Sequence, residues 1–248
     1  MDEDTVDSPR RGGGDESVQW RRDASTSRTV RLLWTFGVGT FFAAIGVVIC
    51  WRLYQLAGEA AGGLGRNVVL ALIAAVAATI LALAVAADTE RHLERLIGPL
   101  SRDVPTGTRL DRAMDAAVGT VVMGAFISVL MGVGRYVSQN ELLAVGAGPF
   151  TGFAAFLLPL ALVALGLASF LQSVGTLDRS ERVIYLYEPK QRVDLAVITD
   201  VSVRRLGDAA VMKLGYAQPD GQYVQGPRRI VVPPEIARDV ASLVDSNG

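Results

Sequence analysis

Four stretches of this chain contain no Asp, Glu, Lys or Arg and are long enough to cross a bilayer. They are residues 32–51 (LLWTFGVGTFFAAIGVVICW), 67–87 (NVVLALIAAVAATILALAVAA), 116–134 (AAVGTVVMGAFISVLMGVG) and a longer interval, Leu142 to Leu177, whose apolar core is 152–174. A spanning helix needs about 20 apolar residues, because about 30 Å of hydrocarbon is covered at about 1.5 Å per residue. Four such runs leave too little polar sequence to coat them as buried helices of a water-soluble protein. Burying one Asp or Arg at the centre of a span costs about 2.5–3.5 kcal/mol, and none of the four contains one. The composition agrees: 50% of the 248 residues are hydrophobic.

Arginine placement orients the spans. Arg21, Arg22, Arg28 and Arg31 precede the first. Arg91, Arg95, Arg102, Arg109 and Arg112 lie between the second and third, and Arg179, Arg182, Lys190 and Arg192 follow the fourth. The other two connections hold only Arg52 and Arg66, and Arg135. Lys and Arg concentrate on the cytoplasmic side, so both termini are expected in the cytoplasm and the protein in the cell membrane. The first apolar run is longer than the core of a cleaved signal peptide and is not followed by a small-residue cleavage site. Residues 1–29 are polar and Gly-rich, and are expected to form a disordered cytoplasmic tail.

Small residues predict how the spans pack, because lipid gives helices no hydrophobic drive to associate. Ala74, Ala78, Ala82 and Ala86 share one face of the second span, which is expected to turn into the bundle. Gly119, Gly124 and Gly132 mark the third span, and Gly148 and Gly152 the start of the fourth. The loop 88–115 carries Leu93, Leu96, Ile97 and Leu100 at helical spacing, and then a turn signal at Val104-Pro-Thr-Gly107.

Beyond Asp178 the period changes to that of strands. Residues 182–187, 191–204 and 210–216 are β-prone. Gln218-Pro-Asp-Gly221 signals a hairpin, 223–232 is its partner strand, and Pro234 opens a helix with the apolar stripe Ile236, Val240 and Leu243. Ile198-Thr-Asp-Val-Ser-Val203 and Arg229-Ile-Val-Val-Pro-Pro-Glu-Ile-Ala237 resemble segments of the bacterial-type PH-like domains of small membrane proteins. The resemblance covers about 66 of the 248 residues and implies an antiparallel barrel closed by a C-terminal helix. Such a barrel has seven strands, whereas residues 178–248 supply five at most. The fold class is therefore a membrane all-α four-helix bundle, within 30–177, plus a small cytoplasmic α+β domain, 178–248.

Reactive chemistry is sparse. One cysteine, Cys50, allows no internal disulfide, and one histidine, His92, allows no two-histidine metal site. His92 lies among Glu90, Arg91 and Glu94, as a solvated surface residue does. No nucleotide-binding or hydrolase motif is present, and the net charge of −1 suggests no nucleic-acid partner. No catalytic residue, cofactor or metal is expected. The spans also lack the ionisable groups that carriers and membrane enzymes use. The reading is a non-catalytic membrane protein that presents a cytoplasmic PH-like domain to a protein or a lipid headgroup. The alternative is a transport or channel subunit with a regulatory C-terminal domain. Arg204, Arg205, Arg228 and Arg229 are the candidate contacts to lipid or partner, unless Asp200, Asp208 and Asp220 neutralise them. Membrane lipids and another membrane or cytoplasmic protein are the implied partners, and a homo-oligomer stays open.

Overall fold

The computed structural model describes residues 17–86, 107–217 and 226–245. The chain divides into two compact units. One is Ser27–Ser169, and the other joins Met1–Thr26 to Phe170–Gly248.

The first unit is helical. Helix α1 (Arg28–Val85) starts at Ser27, whose hydroxyl accepts the Val30 amide at 3.3 Å. Helix α2 spans Thr108–Gln139 and α3 spans Gly148–Phe170. These three helices are long and apolar enough to cross a membrane. The two first spans expected from the sequence thus lie in one helical stretch, but it is broken once. Ala61 (φ −138°, ψ 18°) and Gly62 (φ 58°, ψ −136°) leave helical geometry. The backbone of Gly62 favours glycine, which has no Cβ to oppose positive φ.

At this break the chain turns back. The Arg66 guanidinium sits 5.5 Å from the centroid of the Tyr54 ring, although twelve residues of straight helix would separate them by about 18 Å. A methyl group built on Gly65 would lie 2.1 Å from the Ala57 carbonyl oxygen. Helix α1 is therefore a hairpin of two limbs.

Glycines set the crossing of the first limb with α2. A methyl group on Gly39 would come within 2.5 Å of the Gly119 carbonyl carbon, and one on Gly119 within 2.7 Å of the Thr35 carbonyl oxygen. Arg31 donates from Nε and Nη2 to the two carboxylate oxygens of Asp115, at 2.6 and 2.5 Å. Contacts at Arg31–Asp115, Gly39–Gly119 and Ala43–Ile127 advance together along both helices, so the limb and α2 run parallel. Helix α3 runs the other way. Gly37 meets Leu165, while further along the limb Ala43 and Val47 pack with Leu157 and Ala154.

The alanine stripe does not turn inward. Ala74, Ala78 and Ala82 are exposed, whereas Val69, Ala77, Ile80 and Leu83 are half-buried. A four-residue spacing says which side chains share a face but not which face is covered. Gly119 does pack as expected. Gly132, Gly148 and Gly152 meet nothing that an added methyl group would reach, and Gly124 is only 3.9 Å from Ala43.

The second unit is an antiparallel sheet domain whose first strand comes from the N-terminus. Strand β1 (Ser17–Arg22) pairs with β2 (Ser173–Asp178), then β3 (Val183–Tyr187) and β4 (Lys190–Asp194). A one-turn 3₁₀ helix, Leu195–Val197, leads to a second sheet of β5 (Ile198–Leu206), β6 (Ala209–Tyr216) and β7 (Arg229–Val232). Helix α4 (Pro234–Asp245) lays Ile236, Ala237, Val240 and Val244 into one core with Leu177, Ile184, Leu195, Met212 and Val232.

Three expected boundaries change. Residues 17–22 are a strand and not tail. The fourth span ends at Phe170 and not at 174, because Ser173-Val-Gly-Thr-Leu177 is uncharged but extended. The domain begins before 178, since β1 and β2 belong to it. Residues 1–16, the stripe from Leu93 to Leu100, His92 and the hairpin signal 218–221 lie outside the described residues.

Candidate ligand-binding face of the split sheet domain

The pairing of β1 with β2 joins the N-terminal strand to the rest of the sheet domain. Trp20 is buried, and its indole Nε1–H donates to the Ser173 hydroxyl at 3.3 Å. Gly175 lies opposite Trp20, and a methyl group there would come within 2.6 Å of the ring. Arg22, also buried, donates from Nη1 to the Asp208 carbonyl and from Nη2 to the Asp208 carboxylate at 3.1 Å. Strand β1 is thus fixed both to its neighbour β2 and to the β5–β6 turn of the other sheet.

A compact turn follows β1. Asp23 accepts hydrogen bonds from the Ser25 amide and hydroxyl and from Arg21 Nε. Burial opposes its charge, but these donors outweigh it and hold its pKa down at about 2.

Of the four arginines singled out by sequence, two share a face. Arg204 lies opposite Val211, and Arg229 lies opposite Lys213, which also faces Ser202. Paired residues point to the same side of a sheet, as do residues two apart. Arg204, Lys213 and Arg229 therefore occupy neighbouring rungs of one outer face, and all three are exposed. Arg205 alternates to the other side, opposite Ala210. Arg228 precedes β7, where its carbonyl accepts the Leu214 amide at 3.0 Å.

Lys213 was not legible as part of this group. It lies well away in sequence from both arginine pairs, and only the strand register brings it between them. The proposed neutralising partners fare differently. Asp208 is engaged by Arg22. Asp200 lies on the outer face opposite Gly215, and Asp220 is outside the described residues. Among the described residues, no carboxylate pairs with Arg204, Lys213 or Arg229.

Comparison with protein-family models, with curated protein sequences and with solved structures gives no match.

Proposed function

We propose that this chain is a non-catalytic membrane-anchored binding module: four membrane crossings that hold a PH-like domain at the cytoplasmic face. The observation that carries the reading is the interior of the helical unit. Ala43, Ile127 and Leu157 meet there, with Val47, Met123, Leu130 and Ala154 around them. A carrier or channel requires polar or ionisable groups along its path. Among the described residues this interior is apolar, with Thr40 as a buried hydroxyl.

The count of four crossings has support from chain connectivity. Arg22 and Ser173 face each other in the β1–β2 pair, and α1 starts just after the first while α3 ends just before the second. A membrane segment that leaves and rejoins one sheet must cross an even number of times. With α2 and α3 crossing once each, α1 crosses twice, through its two limbs. The parallel packing of the first limb and α2 asks for the same return. Trp51 and Tyr54, stacked with centroids 6.2 Å apart, suit the outer interface where aromatic residues gather.

Support for the PH-like reading comes from the strand order. Two antiparallel sheets of four and three strands, followed by a closing helix, supply the seven strands that residues 178–248 lack. The missing two are β1 and β2.

Flux measurements test the function. The purified protein, reconstituted in vesicles loaded with ion-sensitive or solute-sensitive dyes, should leak no faster than protein-free vesicles. A flux that Ala43→Asp changes would support the channel reading instead.

A further inference from the structure

The outer face of β5, β6 and β7 carries a charge arrangement that the fold does not use. Lys213 and Arg229 are directly opposite each other. Like charges in that position repel, and a sheet gains nothing from them. Arg204 adds a third cation one rung away on the same face. The carboxylate that sequence would offer to Arg204, Asp208, is held by Arg22. Asp200 is the carboxylate on this face among the described residues, two positions from Ser202 and beside Gly215. Among the described residues this face therefore keeps a positive excess.

The domain is also tied closely to the membrane segment. Only 23–27 separate β1 from α1, and only 171–172 separate α3 from β2. A few residues reach at most about 3.3–3.6 Å each, so the domain is confined near the surface of whatever bilayer the helices cross. Confinement raises the effective concentration of that surface for the domain, so individually weak charge contacts count.

We propose that Arg204, Lys213 and Arg229 bind the anionic headgroups of the bilayer in which the protein sits. The ligand chemistry is a phosphodiester monoanion presented by lipid. Guanidinium and ammonium groups donate to its oxygens, and the lateral density of charge replaces a closed pocket. This inference rests on the reading of the chain as a membrane-anchored module. It adds Lys213 to Arg204 and Arg229, sets Arg205 and Arg228 aside, and takes lipid rather than protein as the partner.

The test uses the full chain with Cys50→Ala and Ser202→Cys, labelled with a fluorophore on the outer face. The protein is reconstituted in nanodiscs whose lipids carry a headgroup quencher. The bulk lipid is phosphatidylcholine alone or mixed with phosphatidylglycerol. Quenching should rise severalfold with phosphatidylglycerol and fall back at 1 M salt, where the Debye length is about 3 Å. It should also fall back in the triple variant Arg204→Gln, Lys213→Gln, Arg229→Gln. Unchanged Trp20 fluorescence, read with Trp34 and Trp51 replaced by Phe in both proteins, shows that this variant remains folded. A label at Ser242→Cys, on the helix that packs against the opposite side of the sheet, should respond far less. Equal quenching in the two lipids, or an undiminished response in the folded triple variant, overturns the proposal. An acidic protein that binds the wild type and not the triple variant, with no lipid dependence, overturns it too. Failure of the anchor reading would appear separately, as solute flux through reconstituted vesicles, which the charge of this face does not govern.

Discussion

Trp20 and Ser173 are 153 residues apart in the chain and joined by a buried hydrogen bond. The three described helices that are long and apolar enough to cross a membrane lie between them. The sheet domain is consequently a product of both chain ends, and its stability depends on a strand made long before its partner.

Removing that strand should unfold the domain. Residues 178–248 alone lack β1 and β2 and should show the circular dichroism of a disordered chain. A soluble chain that joins residues 15–26 to 171–248 by a short Gly-Ser linker should show a cooperative β-rich fold. In that chain Trp20→Ala should cost about 3–5 kcal/mol in a urea titration, the usual range for emptying a buried aromatic site. A folded 178–248 fragment would contradict the split domain.

Packing in the helical unit should be most sensitive where backbones touch. Gly119→Ala places a methyl group against the Thr35 carbonyl, and overpacking of this kind costs about 1–3 kcal/mol. Its melting temperature in detergent should drop clearly. Gly46→Ala, where an added methyl group meets nothing, and Ala78→Leu, on an exposed face, should leave it nearly unchanged. Equal losses for all three would contradict the observed packing.

Acid should weaken the turn after β1. The folded pKa of Asp23, about 2, lies below its ordinary value of 3.8. Its charge therefore stabilises the fold above pH 3.8, and that contribution disappears as pH falls toward 2. Solvent screens much of this interaction, so the shift corresponds to about 1 kcal/mol at neutral pH. Asp23→Asn should lower stability by about that amount at pH 7, and the gap to wild type should close between pH 4 and pH 2. Thermal unfolding across that range measures it. A gap that does not depend on pH would remove the charge as its cause.

Much of this architecture was legible in sequence, and the failures have physical causes. The apolar intervals located the helices because hydropathy is a bulk property of 20 residues. The closing helix was visible through Ile236 and Val240, which recur at helical spacing. Strand β1 was hidden because Val18 and Trp20 are its only large apolar residues and flank a polar Gln19. A single short strand carries meaning only beside its partner. Strand β2 was hidden for the opposite reason, since its uncharged residues merge with the apolar helix before it. The basic face was half visible. Arg204 and Arg229 were named, but only register separates them from Arg205 and Arg228 and adds Lys213.

Both ends of the membrane segment are expected to emerge on the cytoplasmic side, where they meet in one sheet. Single cysteines in a Cys50→Ala background report it directly. Gly63→Cys and Asn140→Cys should react with a membrane-impermeant maleimide on intact cells. Gln19→Cys in β1 and Ser242→Cys in α4 should react only after the membrane is opened. Labelling of Gln19→Cys and Ser242→Cys from opposite sides would contradict the split domain, the even number of crossings and the anchor reading together.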